Sequence, residues 1–387
     1  MMHDHQSPAH PAAAPPASPI PPRRSHLRAR FRKDESDLFF ADVKRRVNAY
    51  FRATAKSRYG DGRIIVKGLL FGGLAAGFYW FALFGGLSPP GSLAAGIGFG
   101  LSALFLALNV GHDGAHNTLT RSRGVNLTLQ TLVFTLLGAD AYLWRLRHVK
   151  SHHVFPNVND CDIDIDDYWF VRLSPNQPHL PHHRFQHLYA MVIFWLVNVH
   201  TTFYQDIVYL FKRDLANMRD MKHPWYAYVL FPLSKAAYFA IWLFVPIAVL
   251  DYPWWWIALA WPAISFVMSV VFIVLLIGTH FAEETAFPIV NAKGELPHGW
   301  AYHALATSLD WSPESPLANF FAGGANAHAA HHLFPNVAHV HYPAITRIIA
   351  DEAARHGIPY NRTTLPGMLT SHLRFLRRMG SGEGAAS

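Results

Sequence analysis

The sequence predicts an all-α integral membrane protein whose four transmembrane helices form two hairpins. Three observations predict it. Only 15% of the 387 residues are charged while 51% are hydrophobic, against about 25% charged in an ordinary soluble domain. Two pairs of long apolar stretches occur, uncharged but for Lys235, each pair joined by a short turn, and each stretch approaches the roughly 20 residues that cross a hydrocarbon core. Lys and Arg are missing from both turns and dense on the other side of the stretches, the asymmetry that orients membrane proteins.

Taken in order, residues 1–35 are Pro- and Ala-rich, then basic, with too little bulky apolar surface to offset chain entropy. They are expected to be a disordered tail, with no cleaved targeting segment in evidence. Ser36 and Asp37 offer a helix start. Phe40, Val43, Val47, Tyr50 and Phe51 follow at helical spacing among Lys44, Arg45, Arg46 and Arg52, a basic amphipathic pattern suited to a membrane surface. The main domain is expected over residues 36–380, with a flexible end at 381–387. Its first two spans fall at about residues 68–87 and 93–110, joined by the turn Ser88 to Ser92.

The second pair falls at about residues 231–250 and 254–278, joined by Asp251, Tyr252 and Pro253. Trp254, Trp255 and Trp256 suit the far interface, and Lys235 is placed to snorkel toward headgroups. Between the pairs, Leu127 to Trp144 and Leu188 to Phe211 are apolar but interrupted by Asp140, His200 and Asp206, so interfacial or re-entrant helices are expected there. The positive-inside rule puts both termini and the central segment in the cytoplasm. The net charge of +8 is then a membrane-facing signal, and no nucleic-acid motif accompanies it. A single cysteine, Cys161, excludes an intrachain disulfide and points to a reducing compartment. Any metal must be held by nitrogen and oxygen.

Histidine is the other signal: there are 25, as many as all acids together. His112 and His116 close the second span; His148, His152 and His153 lie in the central segment; His328, His331 and His332 lie near the C-terminus. The topology puts all three clusters on one membrane face. Residues three or four apart share a helix face, so His112 with His116, His148 with His152, and His328 with His331 and His332 are expected to point together, while His153 is turned toward a second ion. Imidazole suits iron, zinc, copper or nickel, and eight such ligands exceed what one ion accepts. Two ions are implied. His182, His183 and His187 follow a Pro-rich stretch and are expected on the surface. Asp162, Asp164 and Asp166 resemble the start of a calcium loop, but Asp167 stands at the turn glycine and Leu173 at the closing glutamate.

HDGAH (His112–His116), HVKSHH (His148–His153) followed by FPNVNDCDID, and HAAHHLFPNVAHVHYPAI from His328 are similar to the three histidine boxes of membrane fatty acid desaturases, particularly the acyl-CoA and acyl-lipid group that includes linoleoyl-CoA and front-end enzymes. The likeness runs from about Asp37 to Gly380 and includes THFAEETAFP (Thr279–Pro288) and GGAN (Gly323–Asn326). It implies a cytosolic helical cap holding a di-iron site over a buried acyl tunnel, with both termini on the same side. It also implies His280 as a ninth ligand, just beyond the fourth span. The implied reaction uses dioxygen as co-substrate and two electrons to place a double bond in a long-chain fatty acyl group carried on CoA, a carrier protein or a lipid.

Two features depart from the front-end pattern: His328 stands where those enzymes usually have Gln, and the haem motif His-Pro-Gly-Gly of a fused cytochrome b5 is absent. No haem is expected in this chain, and a separate ferredoxin or cytochrome b5-type donor with its reductase is. Carboxylates beside the ligands would balance charge and fix imidazole tautomers; Asp113, Asp162 and Asp164 are the candidates, with Asn157 a further supporting group. Arg145, Arg147 and Lys150 read equally as a headgroup phosphate site and as orientation charge. The same architecture serves lipid or carotenoid hydroxylases and oxygenases. A membrane zinc hydrolase needs only about three protein ligands, and a metal transporter would carry polar ligands inside its spans.

Overall fold

The computed structural model describes residues 29–166 and 169–382. Apart from two-residue parallel strands, Asp310–Trp311 paired with Arg362–Thr363, its regular elements are helices. Four of them are long and apolar enough to cross a membrane: Gly62–Phe84, Pro89–Ala115, Trp225–Val249 and Trp254–Thr279. Each expected span coincides with one of these helices, with shifted ends. The first starts six residues before the uncharged run because Asp61 caps it, its side chain accepting from the Arg63 N–H at 3.0 Å. Lys67 therefore lies inside the helix. The second starts with Pro89 at a first-turn position and does not stop at Val110; it continues through a π-helical turn, Ala107–Gly111, into His112–Ala115.

The second and fourth spans approach closely through Gly96 and Gly100, where an added Cβ would lie 2.8 Å from Ile264 and 2.7 Å from Met268. Small residues four apart are how apolar helices gain dispersion contact when lipid is as apolar as they are. The interrupted segments are broken as their polar residues suggested. Arg123–Leu136 and Ala141–His152 meet at 111°, with Gly138 at φ +71° in the break. The later segment divides into Gln186–Phe194, Val197–His200, a π turn at Thr201–Gln205, and Asp206–Phe211.

Three expectations are corrected. Lys235 does not snorkel: its ammonium donates to Asp206 at 2.8 Å and to the Gly138 carbonyl, with the side chain 11% exposed. Asp206 also accepts from the Asp140 N–H at 2.8 Å, so this ion pair pins the third span to the break that precedes the second histidine cluster. The Ser36–Thr54 helix does not turn its apolar face to a membrane. Phe39, Val43, Val47 and Phe51 are buried against Ala301, Leu305, Leu333, Ile345 and Ile349. Of the expected tail, residues 1–28 lie outside the described residues, but 29–35 are tied to the body: Arg30 pairs with Gly294 and Leu296 through backbone bonds of 2.9 Å, and Asp34 accepts from the Gly299 N–H at 2.7 Å. At the other end, residues 383–387 lie outside the described residues, and Ser381 completes the last helix, Leu365–Ser381.

Removing one member of a buried ion pair strands the other. Asp206→Ala is expected to cost about 3 kcal/mol or more, and the double variant Lys235→Met/Asp206→Ala to recover part of that loss. Thermal unfolding in detergent measures both; equal losses in the single and double variants would contradict the pairing.

Candidate metal centre

The structure gathers all the box histidines and His280 into two adjacent groups. His152, His280, His328 and His332 form one, fully buried. The His280 Nε2 atom lies 2.7 Å from that of His328, 2.9 Å from that of His152 and 3.0 Å from that of His332. His112, His116, His148 and His331 form the other, joined by His153, whose Nε2 is 2.8 Å from that of His331 and 3.1 Å from that of His148. The His153 and His332 rings stack at 4.4 Å between centroids, so the groups touch.

The division differs from the helical-spacing expectation in two places, and local backbone explains both. His148 and His152 were expected to share a group. The segment Leu146–His152 is π-helical, and its i to i+5 pattern carries through to a bond from the His153 N–H to the His148 carbonyl at 3.0 Å. The wider turn brings His153, five positions on, toward the face of His148, while His152 meets His280, His328 and His332. In the third cluster His328 and His332, four apart on an α-helix, stay together, whereas His331 is about 100° away from His332 and falls to the other group. His112 and His116 share a group as expected.

The neighbours fix which nitrogen faces inward. His152 Nδ1 lies 3.2 Å from Asp162 and 3.5 Å from Asp164; Asp164 is itself held by Arg147 at 2.7 Å. His280 Nδ1 donates to the Thr307 carbonyl at 2.7 Å. With their protons on Nδ1, both rings present Nε2 lone pairs to the group. Asn157 acts on the backbone, its amide donating to the His280 carbonyl at 3.0 Å while its N–H donates to Asp162 at 2.8 Å. Asp113 is the candidate that moves: its carboxylate meets His339, at 2.9 Å, and not a box histidine. Asp310 was not foreseen. Buried, with its carboxyl pushed up to about 7 by desolvation, it accepts from the Ala329 N–H at 2.8 Å and from the Tyr360 hydroxyl, and so anchors the start of the helix bearing His328. An aspartate among apolar residues offered no periodic signal to find it by.

Other expectations are settled nearby. His183 is buried, not on the surface: its Nδ1 accepts from the Leu180 N–H at 3.0 Å and its Nε2 meets the Trp169 carbonyl at 2.8 Å. Arg145 bonds the Ala115 carbonyl, and Arg147 bonds Asp164 and Gln205, so these two guanidinium groups serve the interior of the site.

Burial holds His153, His280, His331 and His332 well below the usual imidazole range, with neighbouring histidines adding to the effect. His328 is lowered to about 3 for the same first reason. These rings are neutral at physiological pH, the form that binds metal. Neutral nitrogens facing one another at 2.7–3.3 Å need a cation or a shared proton between their lone pairs. Cis ligands about 2.1 Å from an octahedral ion stand about 3 Å apart, so the spacing fits a metal. His116 Nε2, buried without a hydrogen-bond partner among the described residues, is a further free donor atom at the second group.

Two adjacent all-histidine groups that suit a metal, one of them fully buried, on a helical body with four helices long and apolar enough to cross a membrane, mark a candidate metal centre in a membrane-type protein. The fatty acid desaturase family model matches residues 87–364. The chain is 30% identical over 354 residues to an acyl-lipid (8-3)-desaturase of Physcomitrium patens, covering 90% of this chain and 73% of that protein. It is 28% identical over 349 residues to an sn-1 linoleoyl-lipid 6-desaturase of Arthrospira platensis, covering 88% and 92%, and 27% identical over 356 residues to one of Synechocystis sp., covering 88% and 95%. The chain belongs to the fatty acid desaturase family: it is an oxidoreductase that introduces double bonds into fatty acyl groups, and the family uses iron.

Two measurements test the site. Partners that orient a ligand histidine typically contribute 10–100-fold in metal affinity. Asp162→Asn keeps an acceptor at His152 Nδ1 without its charge, and is expected to weaken metal at the four-histidine group about 10-fold while sparing the other; metal titration checks this. In metal-free protein the depressed histidines stabilise the fold above their unfolded value of 6.5 and lose that contribution as pH falls toward about 3 for His328 and about 4 for His303, a buried residue of the helix Trp300–Ala306. The melting temperature should therefore fall steadily below pH 6.5, and a flat profile down to pH 4 would contradict it.

Proposed function

We propose that the chain is a di-iron, dioxygen-dependent desaturase of lipid-linked acyl chains, with four spans in two hairpins and a cytosolic helical cap. The observation that carries this reading is the convergence of imidazole nitrogens into two adjacent groups. His152, His280, His328 and His332 would hold one iron and His112, His116, His148, His153 and His331 the other. Bound iron supplies, with dioxygen and two electrons, an oxidant strong enough for an unactivated C–H bond, which side chains cannot. The chain's own residues do the rest. Asp162 and the Thr307 carbonyl hold the protons of His152 and His280 on Nδ1; Asn157 and Asp310 fix the backbone from which ligands project; the buried setting excludes water. The apolar spans admit a substrate from the bilayer. The lipid-linked form is favoured because the relatives above carry acyl-lipid and linoleoyl-lipid names.

The Lys and Arg asymmetry supports both termini and the site on the cytoplasmic face. With no His-Pro-Gly-Gly in the sequence, electrons would come from a ferredoxin or cytochrome b5-type carrier with its reductase.

Protein purified with ample iron is expected to hold about two irons per chain, since nine ligands exceed one ion's capacity, and to show no Soret absorbance. His280→Ala should abolish turnover and deplete one iron selectively, while His187→Ala, outside both groups, should change neither. A constant value near one iron, or zinc after careful metal control, would end the di-iron reading. Fatty acid profiling of an expressing host, separated by lipid class, tests the substrate, and labelled dioxygen appearing in the acyl product would mark a hydroxylase instead.

A further inference from the structure

Lys67 is a charged residue inside a membrane-crossing helix, and such residues are rare where no partner holds them. It is 7% exposed and turned inward. Its ammonium donates to Asn109 Oδ1 at 2.8 Å and to the Asn319 carbonyl at 2.9 Å, and lies 3.0 Å from His339 Nε2. An ammonium only donates, so His339 Nε2 accepts and its ring proton sits on Nδ1. That nitrogen donates to Asp113 at 2.9 Å, and the His339 backbone N–H lies 3.3 Å from the same carboxylate oxygen. Cation, neutral imidazole and carboxylate are thus arranged in a fixed order, all buried.

The two ends of this chain grip both sides of His112. Asn109 lies in the π turn just before it, and its amide also bonds the Phe105 and Phe321 carbonyls at 2.9 and 3.2 Å. Asp113 follows it, in the turn that runs to His116. His339 belongs to the stretch that follows His331. The first span is thereby fastened to two of the three histidine clusters that meet in the five-histidine group. We propose that Lys67, acting through His339 and Asp113, is a positioning residue for that group, setting where His112 and His116 stand relative to His331. This rests on the two-metal reading above.

The test uses the full chain loaded with iron and follows iron release to a ferrous chelator, together with iron per chain. The phase missing in His331→Ala identifies the five-histidine group. Lys67→Met is expected to speed that phase about 10–100-fold, the usual effect of losing a residue that orients ligands, and to leave the other phase unchanged. His339→Gln keeps an acceptor for Lys67 and a donor for Asp113 and should stay within about threefold of the parent, whereas His339→Leu should behave as Lys67→Met. The inference is overturned if Lys67→Met leaves both phases unaltered, if it speeds both equally, or if His339→Gln and His339→Leu match. Should Lys67→Met not fold, the His339 pair decides alone. Failure of the two-metal reading shows separately, as about one iron in the parent protein.

Discussion

Neutral imidazole nitrogens held about 3 Å apart in a buried site are the constraint from which the rest of the structure follows. Lone pairs at that spacing repel unless a cation lies among them, and the rings arrive from widely separated places: the end of the second span, the helix that follows the break in the central segment, the turn after the fourth span, and a six-residue helix near the C-terminus. Each must be aimed independently. The surroundings do this with fixed acceptors, Asp162 at His152 and the Thr307 carbonyl at His280, and with Asp310 at the start of the third-cluster helix. Holding the rings neutral and unshielded is unfavourable in the metal-free protein, and a bound metal would return that free energy.

The irregular helices are part of the same device. π turns occur at Ala107–Gly111 and Leu146–His152, immediately before or within two of the clusters. A π turn shifts the angular position of everything beyond it while keeping most backbone bonds. At Leu146–His152 the shift sends His148 and His153 to one group and His152 to the other. A uniform α-helix would have set His153 about 140° from His148 and left the other group short of a ring. Function at this site thus depends on where the helix is not regular.

Beneath the site, packing between spans relies on close approach and not on charge, as Gly96 and Gly100 show against Ile264 and Met268. The two lysines within the spans are exceptions with a shared logic. Lys235 fastens the third span to the break before the second cluster, and Lys67 fastens the first span to the turn of the first cluster. Both place a buried cation where a long apolar helix meets a segment that carries clustered histidines, so these helices and the site are joined by directional bonds as well as by apolar contact.

Composition and spacing by themselves determined the four long apolar helices to within several residues and the three histidine clusters, because these rest on local features: an apolar run long enough to cross a bilayer, and repeated imidazole at helical intervals. Similarity of the boxes pointed to His280. The tertiary structure alone decided which histidine belongs to which group, because that depends on local helix type. It also gave Asp113 to His339, buried the apolar face of the Ser36–Thr54 helix in protein, and brought Asp310, Thr307 and Lys67 to the site. Each of these is a contact between residues far apart in the chain. Periodicity reports which face of a helix is apolar, but carries no information about what that face will meet.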